Sequence, residues 1–566
     1  MKKISLNETE KLLKNKTAVC ALWNCEDKKN WPYQLGYLVY KDLFKEVFLF
    51  DPKIERLKHG SEIMKKKLFT LIETKKPNYV FLLLEANDIS INTLEKIKEL
   101  SPQTKTIAIF GDEDIHFYTR SRYYALFLDY CIFCPKKYFS SYKEDGLLNA
   151  IPFVGGVNTE NFKPMNLDKK YDVVFIGKPQ PVSRVEAIRF LIKNKIKVSI
   201  WGYGWDKYPE FKDIYGGPLD HKEMVKIINQ TKIYLGFSKN RLGEVHNTGK
   251  FFESAACKTF CLVDEFLEYL EYFKLNKEIV PFKDNSDLLE KIRYYLKNGK
   301  EREKIAQNAY KKIIKNHGYH NIYKKIFQKI FTIEKNSLEK PLPKLSNKFI
   351  ELSNSDMKLG YSSLKEKLEG YSYVCFSDKE SLEHKYKNFL QAYSLEKSDK
   401  NLSCCDYFVS SRGLGSYLKS DSFRSSLNLK NGEFNKLLNI SQIMAKKNYF
   451  LKYLENFKEF YKGKEINFID KAEIAFIELP LVQINKLNKI SRDFLYKLDS
   501  SSLENSFQMK FMFELYSLLY QKKILFNDYP YKLIMQSLSR GDAFIMKYLF
   551  NSIFNKEKQL RIKNLS

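Results

Sequence analysis

The chain has 566 residues, 44% hydrophobic and 15% aromatic. That is too apolar for a disordered chain and too long for one core, so two or three domains are expected. The formal net charge is +28, most of the positive side being lysine. Such a field draws nucleic acid, an anionic membrane surface or phosphate-bearing substrates, yet lysines spread along the whole chain also read as compositional habit. No basic block, zinc knuckle or aromatic RNP-type motif is present, so no nucleic-acid partner is expected. No apolar run approaches the ~20 residues of a spanning helix. MKKISLNETEKLLKNK has no apolar segment behind its lysines, and nine unframed cysteines suit reduced thiols, so the expected location is the cytoplasm. Cys131 and Cys134 form a CxxC without a second pair, and no metal site is expected.

From residue 17 to 150, short apolar runs (TAVCALWN, EVFLFD, NYVFLLLEA, TKTIAIFGD, YCIFC) alternate with helical patterns such as SEIMKKKLFTLIETKK and INTLEKIKEL. Strands rich in Val, Ile and Phe with helices between them predict a parallel sheet covered on both faces. IPFVGGVNTENFKP, residues 151–164, breaks the rhythm with paired glycines and two prolines and reads as a linker. The alternation then resumes: DVVFIG, SRVEAIRFLIKN, KVSIWG, DHKEMVKIINQT with an Asp220/Glu223 cap, KIYLGFS, TGKFFESAAC, TFCLVD and EIVPF. Three helical stretches close this unit near 335. After EKPLPKLSNK, Lys- and Leu-rich helical segments such as NYFLKYLENFKEFYKGK and FQMKFMFELYSLLYQKKILF dominate. The expected fold class is α/β: two facing doubly wound Rossmann-like domains (1–155 and 156–338), with a mainly helical or α+β accessory domain over 345–566.

HNTGKFFESAACKTFCLVDEF, residues 246–266, concentrates the chemistry. A loop leads into a helix whose first turn offers free N–H groups and a dipole to an anion. Lys250 lies in that turn, and Glu253, one turn on, is placed to accept bonds from a vicinal diol. The plainer reading makes Lys250 and Glu253 a surface pair at i, i+3 with Phe251 and Phe252 in the core.

Six segments in order carry a resemblance: DVVFIGKPQPVSR, VSIWGYGW, GGPLDHKEMVKIINQTKIYLGFS, GKFFESAACKTFCLVDE, KEIVPFKDNSDLLEKIRYYL and EREKIAQNAYKKI. Together they resemble the C-terminal domain of group-1 glycosyltransferases of the GT-B fold, most closely the subgroup related to the spore maturation protein CgeB. FCPKKYFSSYKEDGLLNAIPFVGGVNTENFKP is similar to that family's inter-domain segment, and IFGDEDIHF to an acidic loop of its acceptor domain. The resemblance covers about residues 15–335.

The resemblance implies transfer of a sugar from a nucleotide-diphosphate donor, with UDP-sugar the first expectation and neither cofactor nor metal. Glu253 would hold the ribose hydroxyls. Lys250, Arg184 and backbone groups near Gly177 and Gly249 would neutralise the diphosphate. Trp201, Tyr203 and Gly216 to Gly217 would line the base pocket, or be buried aromatics and a tight turn. On the acceptor side, Gln34, Gly36 and Tyr37 would face the cleft. Asp112, Asp114 or His116 would take the acceptor proton, or form an acidic turn capping the following helix. The expected acceptor is a cell-surface glycan, a lipid-linked sugar or a protein, met by a cytoplasmic enzyme at the inner membrane. The sequence departs from the pattern at Lys258, where glycine is common, at Lys250, where arginine is common, and before Glu253, where the nearest acid is Glu244. Those departures leave open a rival, a non-catalytic carbohydrate-binding or scaffold protein on an eroded transferase core. In the last third, GYSSLKEKLEGYSYVCFSDKES faintly resembles the strand and acidic turn of GT-A transferases, with Asp378 and Glu380 in the turn. Too few residues precede it for that fold's nucleotide-binding strands.

Overall fold

The computed structural model describes residues 4–23, 25, 32–59, 61–84, 89–153, 155–239, 249–335, 342–353, 355–376, 381–411, 414–416, 442–462 and 474–484. The first sheet contains β1 (Thr17–Ala21), β2 (Glu46–Phe50), β3 (Tyr79–Leu82), β4 (Lys105–Phe110), β5 (Tyr130–Phe133) and β6 (Ala150–Pro152). Its order is β2-β1-β3-β4-β5-β6 and every pairing is parallel. The five expected strands are all present. The sixth, β6, runs into the start of the segment read as a linker.

The second sheet holds β7 (Tyr171–Ile176), β8 (Val198–Trp201), β9 (Thr231–Gly236), β10 (Phe260–Asp264) and β11 (Val280–Phe282) in the order β11-β10-β9-β7-β8. It too is parallel throughout. The chain runs outward from β7 to β8, then returns to place β9 on β7's other side. The switch point therefore falls between β7 and β9, where doubly wound sheets bind ligands at their carboxyl ends. Both units are Rossmann-like α/β layers, as their alternating patterns predict. The Asp220/Glu223 capping box is formed, each side chain accepting from the other's backbone N–H at 2.9 Å.

Two segments connect the units, and they run side by side. Val157 N–H donates to the His317 carbonyl and Tyr319 N–H to the Val157 carbonyl, so the outgoing linker is zipped to the returning turn. Gly156 permits this contact: a Cβ there would stand 2.3 Å from Ile322 Cδ1 and 2.8 Å from the His317 oxygen. The helix Tyr319–Lys335, last of the three closing stretches, then buries Ile322, Tyr323, Ile326, Phe327, Ile330 and Phe331 with core residues of the first sheet. His320 Nε2 lies 3.0 Å from Asp42 Oδ2, and Lys324 Nζ 2.6 Å from Glu10 Oε2, fixing the helix to the first unit.

The C-terminal third takes the α+β alternative of its expected fold. Among the described residues it is built on seven strands: β12 (Phe349–Leu352), β13 (Tyr373–Phe376), β14 (Ser381–Glu383), β15 (Leu402–Ser411), β16 (Leu414–Ser416), β17 (Ile443–Lys446) and β18 (Ile474–Ile484). The sheet is mixed, with β12 and β13 parallel across the helix Tyr361–Lys367. NYFLKYLENFKEFYKGK does carry helices, Lys447–Lys452 and Leu454–Tyr461. FQMKFMFELYSLLYQKKILF and the Asp378/Glu380 turn lie outside the described residues. This third shares one continuous core with the first sheet. Phe127 meets Tyr386 at 4.8 Å, and the Arg122 guanidinium stands 5.4 Å from the Tyr393 ring while bridging Asp145 at 2.7 Å.

Candidate donor-binding site

The helix Gly249–Ala256 forms because Phe251, Phe252, Ala255 and Ala256 give it a buried face, with the small Ser254 fully enclosed between them. It ends in a left-handed residue, Lys258 at φ +56°. Thr259 N–H reaches back to the Ser254 carbonyl at 2.8 Å, the six-to-one bond of a Schellman turn. Glycine is the usual occupant of that position, so the departure at Lys258 is a matter of backbone conformation.

Lys250 and Arg184 meet at the switch point. Lys250 follows β9 and Arg184 follows β7, yet both charges stand over Phe175, with Nζ at 5.7 Å and Cζ at 5.8 Å from the ring centroid. The guanidinium donates to the carbonyls of Lys239 (3.0 Å) and Lys178 (3.4 Å), and its Nε is buried without a partner among the described residues. Burial works against both charges. For Lys250, burial comes first and Arg184 adds repulsion, while Glu253 opposes them; its ammonium loses its proton more readily than an ordinary lysine. For Arg184 the offsetting charge is Asp264 at the end of β10, itself held by Ser238 N–H at 2.5 Å.

Gly177 makes room for this cluster. A Cβ there would stand 2.7 Å from Phe175 Cζ and 3.3 Å from Lys250 Cε. Its carbonyl accepts from Trp205 Nε1 at 2.6 Å, which holds the turn after β7 open toward the helices. Glu253 curls back beside Gly249, where an added Cβ would lie 3.6 Å from Oε1. Burial raises the Glu253 carboxyl above the usual range, and Lys250 pulls the other way. The fully buried Tyr234 hydroxyl has no partner among the described residues and lies within electrostatic reach of Glu253. Lys250 and Glu253 are therefore half-buried and poised, the condition in which charged ligand groups are most strongly felt.

The other expected residues divide. Tyr203 is 56% exposed beyond the end of β8, and Gly217, at φ +87°, faces open space. Trp201, by contrast, is a core side chain. Gly216 sits on its indole, where a Cβ would come within 2.0 Å of Nε1, so the buried-aromatic alternative describes it. Gln34, Gly36 and Tyr37 share a π-helical turn, Pro32–Tyr37. Gln34 is tied to the linker, accepting from Asn158 through its backbone carbonyl (3.2 Å) and from Asn161 through Oε1 (2.6 Å). Gly36 packs against Leu22, and burial raises the Tyr37 hydroxyl. Asp112 is exposed at the end of β4; it occupies an N-cap position but makes no capping bond. His116 ends that short helix, and between them the buried Glu113 accepts from Tyr142 at 3.3 Å. Glu244 and His246 lie outside the described residues. Sequence reasoning passed over Phe175, Asp264 and Glu113. Of these, Asp264 is legible as the acid closing TFCLVD.

Residues 184–328 match the model of a family described as glycosyl transferase-like; the matched stretch begins at Arg184 and includes Lys250 and Glu253. No curated protein matches the chain. Similar solved structures include a sucrose-phosphate synthase from Thermosynechococcus elongatus, with 10% identity over 57% of this chain and 100% of that one at a TM-score of 0.43. A glycosyltransferase from Rickettsia africae ESF-5 has 12% identity over 57% and 100%, TM-score 0.42. Anabaena HepE, solved with UDP and glucose, has 11% identity over 57% and 100%, TM-score 0.40.

Proposed function

We propose that the chain is a glycosyltransferase moving a sugar from a nucleotide-diphosphate donor to a cell-surface glycan, lipid-linked or protein acceptor. The observation that carries this reading is the convergence of Arg184 and Lys250 on Phe175 at the switch point of the second sheet. The glycosyl transferase-like match over 184–328 supports it. The diphosphate gains negative charge as the glycosidic bond breaks, and cations already in place stabilise that charge without rearranging. Lys250 and Arg184 take the phosphates, Glu253 the ribose hydroxyls, and Tyr203 with Gly217 the exposed wall for the base. Donor-binding residues 156–338 then face an acceptor unit of 1–155, where Asp112 and His116 stand at a strand end as base candidates. The accessory unit, 345–566, extends the acceptor side.

The finer placement in the CgeB-related subgroup rests on the six ordered segments. The net charge of +28 supports a cytoplasmic enzyme held at an anionic membrane face, and among the described residues no helix is long and apolar enough to cross a membrane. Lys258 weighed toward an eroded core; its left-handed backbone removes that weight. Calorimetry with UDP, GDP, ADP and dTDP tests the reading. Binding of one of them, lost in Lys250→Ala and Glu253→Ala, is expected; binding of none by the full chain overturns it.

A further inference from the structure

A cavity of about 320 Å³ lies where the two connecting segments meet, behind the helix Gly249–Ala256 and apart from the switch-point site. Every part of the hinge contributes: Phe153 from the first unit's exit, Tyr272 from the second unit, and Ile322 and Ile326 from the returning helix. These make apolar walls. Three amines ring them, Lys312, Lys325 and Lys329, and the one acid in the lining, Glu271, is already paired with Lys136 of the first unit. His317 forms the floor, its ring stacked on Phe273 at 5.0 Å and 5.4 Å from Phe252 of the donor-side helix. Burial, with Lys325 and Lys312 adding repulsion, holds that imidazole neutral, at about 4, against the bond it makes to the Gly155 backbone.

A half-open volume at the low end of the ~300–1,000 Å³ of small-molecule sites, with apolar walls and the Lys312 and Lys325 ammoniums at its rim, selects a definite chemistry. Its occupant carries one anionic group and a compact apolar body. We propose that this cavity binds a small amphiphilic organic anion, one or two rings bearing a sulfonate, carboxylate or phosphate, seated against residues of both units. The inference does not depend on sugar transfer. The rim supplies attraction that falls with salt, and the walls supply burial that does not.

The test uses the full chain and 1-anilinonaphthalene-8-sulfonate as probe. Saturable binding of one probe per chain is expected, read by fluorescence, weakened at least tenfold in Lys312→Glu/Lys325→Glu and severalfold in the milder Lys325→Gln. A control double variant, Lys66→Glu/Lys75→Glu, sits on the other apolar hollow of the first unit, along Ile63 to Lys75, and should leave this binding unchanged. Bound probe should also raise the His317 titration seen by NMR, because the sulfonate offsets both lysines. Equal weakening by the control, no weakening by either cavity variant, an unmoved His317, or competitive displacement by UDP would each overturn the proposal. Displacement by UDP would leave the donor site intact, and failure of UDP to bind would leave this cavity intact, so the two readings fail separately.

Discussion

Lys250 and Arg184 follow different strands, yet they hold like charges within 5.8 Å of the same ring, that of Phe175. Those charges repel, which costs stability in the free protein and, on the proposed function, would be offset by a bound diphosphate. Lys250→Met is therefore expected to do two opposite things. It should weaken a nucleotide diphosphate by about 10- to 100-fold, the worth of a hydrogen bond to a charged group, and it should raise the melting temperature of the free chain. Calorimetry and a thermal melt on the same preparation decide it. Loss of both affinity and stability would make Lys250 a packing residue.

Glu253 invites a similar separation. Burial raises its carboxyl, so the unfolded chain ionises first and the folded chain is penalised as pH rises through the folded value. Glu253→Gln should thus be more stable than the parent at neutral pH, with the gain vanishing on acidification. The amide is a poorer acceptor for two hydroxyls, so nucleotide binding should weaken while inorganic diphosphate binding holds. Equal weakening of both ligands would move Glu253 from the ribose to the phosphates.

What could be read in advance follows from how locally each feature is encoded. Strands buried on both faces declare themselves as apolar runs, so ten of the eleven strands in the first two sheets were visible, and Asp220 with Glu223 spelled its own cap. The eleventh, β6, hid among Pro152, Gly155 and Gly156, residues that ordinarily mark turns; here Gly156 is small because two chain segments touch. The C-terminal third was expected as helical or α+β, and the α+β alternative describes it; its individual strands were not placed, because they pair over long sequence separations, such as β15 with β18. At the site, the structure brings together four residues, of which Lys250 and Glu253 were picked out by chemistry and Arg184 and Gly177 by the resemblance. Phe175 was not, since a phenylalanine in a strand says nothing about which charges lie over it. Trp201 was over-read for the converse reason: its indole is covered by Gly216, a contact no spacing announces.

Lys258 carries its own prediction. A residue with a Cβ at φ +56° sits where glycine is at ease, closing the Schellman turn between the helix Gly249–Ala256 and β10. Lys258→Gly should stabilise the chain by about 1 kcal/mol in urea unfolding. Nucleotide affinity should not move, because Lys258 is exposed beyond the end of the helix opposite to Lys250. A changed affinity would instead tie Lys258 to the ligand.

His317 sets a pH dependence whose sign is fixed by its burial. The imidazole is held at about 4 in the folded chain, against an ordinary value of about 6.5 once unfolded. Above that ordinary value both states are neutral and the residue costs nothing. As pH falls, the unfolded chain takes up a proton that the folded chain refuses, so stability drains away until the folded value is reached. The full loss is about 3 kcal/mol. His317→Gln keeps a polar group that can still meet the Gly155 backbone but cannot titrate. Its stability, followed by urea unfolding at steps from pH 7 to 4, should lack this component of the slope, so the parent should lose about 3 kcal/mol relative to the variant over that window. Parallel curves across that window would show that His317 gains its proton in the folded chain as readily as in the unfolded one, and that the hinge admits charge where the packing says it does not.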